Sequence, residues 1–293
     1  MAYDYHQLRA LYTVIKEASF QRAADKLMIT QSAVSQRIRT LENLAGHPLL
    51  VRSTPPKATE LGRKFLSVFV QTDVLMKSLN QNEIGASEKI RLPIACNTET
   101  FELWFNRCIV DFSKEHGVLF DITVDDQDQT LNLLRDASVL ACVSSEKGPV
   151  QGCISHPLKE ISYACVASKE FVQRHDLRKD RRLKILKVPT VIFGPMDRIH
   201  DRYLSELFGT KKVPQYTSHT IPSIPAILEQ VELSGAYAVL PENMIHSSLR
   251  DGKLVDLFPK SRLKMPLFWH SVQTEIPILG KLTSEVLRVS GIK

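Results

Sequence analysis

The chain has 293 residues, of which 43% are hydrophobic and 24% charged, a globular composition whose length suggests two or three compact units. It has no apolar run near the ~18 residues that cross a bilayer, no signal peptide, and five cysteines with neither CxxC nor zinc spacing. We therefore expect a cytoplasmic protein with reduced thiols, no metal and no cofactor.

The net charge of +6 is concentrated at the start of the chain. Residues 1–66 hold ten Lys and Arg against five Asp and Glu, whereas the remainder holds 28 against 27. A localised basic segment favours phosphate binding. The nearly neutral remainder is what we expect of a domain that does not touch nucleic acid.

A brace helix is predicted over residues 4–17, followed by two short helices between residues 19 and 42 with a tight turn at 28–30. The first short helix has an apolar stripe at i, i+3, i+4 and i+7. Ser19 and Thr30 stand where helix N-caps are favoured. This is the layout of a helix-turn-helix that reads DNA.

The second short helix has two distinct faces. Val34, Ile38 and Leu41 recur at helical spacing and give an inward face. On the other face, short side chains let the backbone approach the groove floor, and the amide of Gln36 can pair with an adenine edge. The expected DNA contacts are Arg22, Thr30, Gln31, Ser32, Ser35, Gln36, Arg39, Arg52 and Lys57. The alternative is an ordinary amphipathic helix pair whose polar face is solvated.

A short strand over residues 49–52 and a proline-containing turn at 53–57 predict the wing of a winged helix-turn-helix. The wing completes a DNA-binding domain over residues 1–58. Arg52 and Lys57 would lie against the DNA backbone or the minor groove. For Lys57, a solvated loop is the alternative.

One long helix is predicted over residues 59–80, within a linker that runs to residue 89. Its apolar seam has the spacing of a coiled coil, at Leu61, Phe65, Val68, Thr72, Leu75 and Leu79. We expect this helix to be too long to fold back on the small domain, and its seam to pair with a second copy. Packing on the chain's own core is the alternative. A dimer, or a pair of dimers, would match a partly palindromic DNA site.

From residue 90 onward, short β-runs alternate with helices, which predicts an α/β layout with a largely parallel sheet. A second set follows the apolar run at 163–167. We expect an effector domain over residues 90–293, with lobe I at about 90–163 and 268–293 and lobe II at about 164–267. A cleft at the carboxyl ends of the strands would bind a small ligand.

Two N-terminal stretches, AADKLMITQSAVSQRIRTLENLAGHPLLVRS and ATELGRKFL, resemble the winged helix-turn-helix of LysR-type transcriptional regulators. The order of DNA-binding domain, linker helix and two-lobed, periplasmic-binding-protein-like effector domain is similar to that family over the whole chain. ITQSAVSQRI, PLLVRSTPP, VDDQDQT, FGPMDRIH and MPLFWH resemble the ArgP/LysG branch more narrowly. The resemblance implies a dimeric or tetrameric regulator of amino-acid transport or metabolism genes that responds to L-lysine or L-arginine and contacts RNA polymerase.

In such regulators the effector lies between the lobes. Hydroxyls and N–H groups at strand ends would bind its carboxylate, and an acid would pair with a cationic side chain. The expected effector contacts are Thr98, Glu99, Thr100, Asp126, Ser144, Ser145 and Asp197. Strand alternation favours Asp126 among the acids at 125, 126 and 128. A solvated strand end and, less favoured, a DxD metal site are the alternatives.

The motifs GxSxG, GxxxxGK[ST], GxGxxG and HExxH are all absent from the sequence, so we do not expect an enzyme. A solute-binding protein would fit a two-lobed domain, but the basic N-terminus opposes it. The remaining rival is an effector-independent architectural or replication-inhibiting DNA-binding protein. We predict a ligand-responsive regulator that binds promoter DNA.

Overall fold

The computed structural model describes residues 3–79, 89–125, 127–136, 138–148, 151–195, 197–212 and 214–291. The chain begins with a three-helix head and a small wing, continues into one long helix, and ends in a two-lobed α/β domain. No helix in these described ranges is both long and apolar enough to span a membrane.

The head consists of α1 (Tyr5–Glu17), α2 (Phe20–Leu27) and α3 (Gln31–Ala45). Each begins at a side-chain cap that satisfies a free backbone N–H. Ser19 Oγ accepts from Arg22 N, and Thr30 Oγ1 accepts from Ala33 N at 3.2 Å. The inward residues of α3 are fully buried, so the helix is fixed in the head by its apolar face.

The wing is a two-stranded antiparallel ribbon of β1 (Leu50–Val51) and β2 (Lys57–Ala58). Glu42, from α3, accepts hydrogen bonds from the backbone N–H groups of Leu49 and Leu50 at 2.8 and 3.2 Å. The carboxylate therefore fixes the wing to the helix expected to read DNA. Lys57, which we expected in the turn, is instead the first residue of β2.

The long helix α4 (Glu60–Leu79) packs on its own head, contrary to our expectation that it had no room to do so. It uses a different face from the seam: Phe69 and its buried neighbours contact α1, where the Phe69 ring lies 4.9 Å from that of Tyr12. The seam remains partly uncovered, with Val68 54% and Leu75 41% exposed. One helix thus has a face that is packed within the chain and another that is available to a partner.

Lobe I is built on the parallel strands β3 (Arg91–Cys96), β4 (Leu119–Val124) and β5 (Ala141–Ser144), with β3 in the middle. Its helical segments are, in chain order, α5 (Thr98–Thr100), a π-helical turn (Phe101–Phe105), α6 (Asn106–His116) and α7 (Gln127–Arg135). The first three form one continuous helical run.

Two long antiparallel strands cross between the lobes: β6 (Cys153–Ser168) and β11 (Leu263–Val272). The first residues of β6 lie in the lobe I part of the sheet, because they pair with β11, and β11 pairs on its other side with β5. Its last residues pair with two strands of lobe II, β9 (Ala238–Pro241) and β10 (Leu254–Asp256). The two lobes are therefore parts of one seven-stranded sheet, joined by strands rather than by a flexible linker.

Lobe II adds a two-stranded parallel sheet of β7 (Thr190–Ile192) and β8 (Ser218–Thr220). Its helices are α8 (Lys169–Arg174), α9 (Arg181–Lys184), α10 (Ile199–Phe208), α11 (Ile224–Glu232) and α12 (Glu242–Arg250), and α13 (Pro277–Val289) closes the chain against α6 in lobe I.

Candidate DNA-binding surface and effector cleft

The residues expected to read DNA lie on one exposed side of the head. Ser32, Gln36 and Arg39 are exposed along α3, and Ser35 is half-buried beside them. Because the opposite face of α3 is buried in the head, these polar side chains are presented outward. Thr30 has a second task, since its hydroxyl caps α3 and lies 2.9 Å from that of Ser32.

A groove of about 450 Å³ separates α3 from the wing. Gln31, Ser35 and Arg52 line it together with Ser19 at the start of α2. Arg22 is exposed in the first turn of α2, and its guanidinium donates to the carbonyl of Glu17. Backbone N–H groups at helix starts and exposed cations are the groups that hold phosphates. Ser19 is a wall residue of this groove that the sequence interpretation used only as a cap.

The effector residues from lobe I meet at one edge of its sheet. Strands β3 and β5 are parallel neighbours, with Ala95 opposite Cys142, so the segments that follow them emerge side by side. Thr98, Glu99 and Thr100 follow β3, and Ser144 ends β5 with Ser145 directly after it. Asn97 is a further buried residue at this edge, and it caps this helical run by accepting from Thr100 N at 3.2 Å.

Tyr163 lies between the two lobes and was missed as a site residue. Its hydroxyl is buried and has no hydrogen-bond partner among the described residues. Burial, together with the nearby carboxylates of Glu99 and Asp197, raises the pKa of this hydroxyl well above its usual value. Glu99 comes from lobe I and Asp197 from lobe II, so acids of both lobes act electrostatically on the same buried hydroxyl. The only sequence signal was a hydroxyl-bearing aromatic at the start of the apolar run 163–167.

The other polar groups of the cleft divide into engaged and unpartnered ones. Asp197 accepts from Phe193 N at 3.1 Å and from Ile199 N at 2.9 Å, so it fixes the start of α10. Ser144 Oγ accepts from Glu146 N at 3.1 Å. Thr100 Oγ1, by contrast, is buried with no hydrogen-bond partner in the described part of the chain. Buried unpartnered hydroxyls are costly, and a ligand that bonds to them removes that cost.

The structure describes only part of the acidic stretch at residues 125–128. Asp126, the acid favoured from strand alternation, lies outside the described residues, as does the side chain of Asp128. Asp125 is exposed at the end of β4. Over the residues that are described, no group of three or more His, Cys, Asp or Glu side chains could hold a metal ion.

The cysteines and His200 contribute to packing rather than to a reactive site. All five cysteines are free, and burial raises the pKa of Cys96 to about 12, which leaves its thiol protonated and unreactive at neutral pH. His200 is enclosed by Tyr216 and Tyr237, with its Nε2 3.3 Å from the Tyr237 hydroxyl. Burial lowers its pKa to about 3, so it is neutral and packed.

Comparison with known proteins decides the family. Residues 5–63 match the bacterial regulatory helix-turn-helix protein, lysR family, and residues 85–275 match the LysR substrate binding domain. The chain belongs to the LysR family of transcriptional regulators. The predicted fold, a winged helix-turn-helix followed by a two-lobed α/β effector domain, is thereby confirmed.

The relatives also bear out the narrower branch. The transcriptional regulator ArgP of Pseudomonas fluorescens is 36% identical over 99% of this chain and 97% of its own length. The ArgP of Photorhabdus laumondii is 35% identical over 98% and 95%. This LysR-family chain therefore stands with the ArgP/LysG branch.

Solved structures give the same assignment. ArgP from Mycobacterium tuberculosis is 33% identical, with a TM-score of 0.84 over 98% of this chain and 97% of that one. Full-length LysG from Corynebacterium glutamicum, solved with the bound effector Arg, is 27% identical with a TM-score of 0.78, covering 98% of each chain.

Proposed function

We propose that this LysR-family regulator binds promoter DNA as a dimer or tetramer and responds to a basic amino acid, L-arginine or L-lysine, held between its lobes. The single observation that carries the effector class is the pair of acids at Tyr163, Glu99 from lobe I and Asp197 from lobe II. Two carboxylates that act on one buried hydroxyl favour a ligand with positive charge. The arginine bound in LysG supports the same class.

Glu99 is the acid that we assign to the cationic end of the effector. Asp197 accepts hydrogen bonds from the backbone N–H groups of Phe193 and Ile199 and so fixes the start of α10. Glu99 is half-buried at the end of β3 that faces the cleft, and its carboxylate accepts from Asn97 Nδ2 at 3.1 Å. The unpartnered hydroxyls of Thr100 and Tyr163 would bond to the effector's polar groups, with Thr98, Ser144 and Ser145 at the same edge. Asp126 remains a further proposed contact.

Dimerisation is assigned to the uncovered seam of α4. Val68 and Leu75 are exposed along this helix, and Met76 beside them is 50% exposed. An apolar stripe at heptad spacing is covered most simply by the same stripe of a second copy. A dimer places two α3 helices on DNA, and a change in the angle between lobes would alter the spacing of the bound half-sites. Amino-acid transport or metabolism genes are the proposed targets, and RNA polymerase is the proposed further partner.

Calorimetric titration with L-arginine, L-lysine and L-leucine tests the effector. We expect saturable binding of one or both basic amino acids and none of leucine. Glu99→Gln keeps the size of the side chain but removes its charge, and should weaken binding about tenfold or more, as expected for a desolvated charge pair. Glu115→Gln, at the far end of the same helical run, is the matched control. Equal affinity of wild type and Glu99→Gln would refute the assignment of this carboxylate.

The rival architectural function is tested on DNA at fixed salt. A regulator should protect one inverted repeat in a promoter footprint, because its α3 helices read base edges at two half-sites. An architectural protein should cover DNA diffusely, with steep salt dependence and little sequence preference. Diffuse coverage that no amino acid changes would refute the proposed function.

A further inference from the structure

Among the described residues, two ion-pair contacts join the DNA-binding head and its long helix to lobe I. The first is centred on Asp121 of β4. Its Oδ2 lies 2.7 Å from Nζ of Lys16, in the last turn of α1. Its Oδ1 lies 2.9 Å from Nη1 of Arg91, at the start of β3. One carboxylate of lobe I therefore bonds to a cation of the head and to a cation of its own sheet.

The second contact joins the long helix to the other end of lobe I. Arg63, in the first turn of α4, has its Nε 2.9 Å from Oδ1 of Asp136. Asp136 directly follows α7, and its backbone N–H donates to Asn132 O at 2.8 Å, so it continues the geometry of that helix. Arg63 is also close in sequence to the wing, which ends at Ala58.

The interface between these parts contains an open cleft with both charged and apolar walls. A cleft of about 530 Å³ runs between α1, α4 and the strands β3 and β4. Charged side chains from both sides line it, with Arg9 from α1, Lys77 from α4, and Arg91 and Asp121 from lobe I, beside the apolar side chain of Phe69. Exposed ion pairs around such a cleft are individually weak and screened by salt.

Both ion-paired elements have their other end at the effector cleft. At the end of β4, Asp125 N donates to Cys96 O at 3.2 Å, which ties β4 to the strand that leads into Thr98. Near the start of α7, Thr130 Oγ1 donates to Val143 O at 3.0 Å, beside the end of β5. The distance along β4 from residue 121 to residue 124 is roughly 10 Å. The nine residues of α7 span about 13 Å.

We propose that Asp121 and Asp136 are coupling residues, through which lobe I holds the head and transmits the state of the effector cleft to it. A ligand that shifts the carboxyl end of β4 or the start of α7 displaces the opposite ends of the same rigid elements, which changes the contacts to Lys16 and Arg63. The signal then reaches the head directly from lobe I of the same chain, in addition to the covalent linker. This inference rests on the proposed function, because effector binding is the signal.

The double variant Asp121→Asn/Asp136→Asn tests the coupling in the full-length protein. The measured quantity is the ratio of operator affinities with and without saturating L-arginine. We expect this ratio to move towards one, whichever direction arginine shifts it in the wild type. Calorimetry should still detect arginine binding, because coupling and binding are separate free energies. Asp111→Asn is the matched control, since it removes an exposed lobe I acid whose ion pair, to Arg107, stays within α6. An unchanged ratio in the double variant overturns the inference.

A charge exchange distinguishes this contact from a general effect of charge. Asp136→Arg alone should move the ratio towards one, and Arg63→Asp/Asp136→Arg should restore the wild-type ratio. Failure of the exchange, with both proteins folded, argues against a direct Arg63 contact and overturns that part of the inference.

Docking is measured separately by the radius of gyration of DNA-free protein in X-ray scattering. We expect the double variant to be more extended than wild type and Asp111→Asn to be unchanged. If wild type responds to neither arginine nor lysine, the proposed effector fails, whereas an extended double variant still supports docking of the head. An unchanged radius refutes docking whatever the effector result.

Discussion

Gly62 offers the sharpest test of the packing between wing and long helix. It lies in the first turn of α4, and a Cβ at this position would lie 2.1 Å from the carbonyl oxygen of Leu49 and 3.0 Å from its carbonyl carbon. Both atoms are backbone, so no side-chain rotation relieves the contact. The same carbonyl accepts from Thr59 N at 3.0 Å, which opposes its displacement. Gly62→Ala must therefore move either α4 or the segment leading into β1.

Two opposing effects determine the size of the change. Alanine is favoured over glycine inside a helix by about 1 kcal/mol. Overpacking costs typically about 1–3 kcal/mol and more where backbone must move. An ordinary contact begins at 3.4 Å, so the carbonyl oxygen of Leu49 would have to retreat by about 1.3 Å. We expect the free energy of unfolding of the head to fall by about 1–2 kcal/mol or more, with weaker operator binding because the wing shifts.

Gly280→Ala is the matched control. Gly280 lies in α13, and a Cβ there would meet nothing within 4 Å. The same chemical change should stabilise this helix by about 0.5–1 kcal/mol. Urea unfolding followed by circular dichroism measures stability, and fluorescence anisotropy with labelled operator measures DNA binding. Gly62→Ala as stable as wild type, or both variants shifting stability in the same direction, would refute the steric argument.

Three further predictions concern DNA binding and pH. Gln36→Ala should weaken operator binding by about 1–3 kcal/mol with little effect on non-specific DNA; equal losses on both would remove Gln36 from base reading. Lys57→Ala should weaken binding to all sequences and reduce the salt slope by roughly one unit, and an unchanged slope would exclude a phosphate contact. The pKa of His200 is about 3 in the folded protein and about 6.5 in the unfolded chain, so the unfolded state binds the proton more tightly. The free energy of unfolding should therefore fall as the pH drops from 6.5 towards 3, by up to about 1.4 kcal/mol per pH unit. His200→Gln should flatten the unfolding free energy against pH, and a persisting slope would assign it to other groups.

The head could be predicted closely from sequence because its determinants are local. Ser19 and Thr30 cap the helices that follow them, and the inward residues of α3 stand at fixed helical spacing. Each of these features acts within about two helical turns, so the sequence alone specifies it. The face by which α4 packs on α1, by contrast, could not be predicted from local spacing. A heptad seam shows that a helix is amphipathic, but the second apolar face, around Phe69, became visible only against Tyr12.

The long strand β6 shows where local reasoning stops. Only its apolar end, at residues 163–167, was predicted, whereas the strand begins at Cys153. Its first half contains polar residues and Pro157, and its extended geometry comes from pairing with β11 more than a hundred residues away. Composition cannot reveal such a partner. For the same reason Tyr163 was missed, since its role depends on Glu99 and Asp197 arriving from opposite lobes.

A net charge summed over a long segment likewise hides a local excess of one sign. The near-neutral remainder of the chain supported a domain that avoids nucleic acid, yet residues 169–187 hold eight Lys and Arg against three Asp and Glu. Residues 67–168 and 188–293 together hold 20 against 24, which cancels that excess in the total. In the structure Arg178, Lys179 and Lys187 are exposed around α9 in lobe II. A net charge near zero therefore does not describe this segment, because electrostatic attraction depends on which charges lie near one another and on their distance relative to the Debye length, about 8 Å at physiological salt.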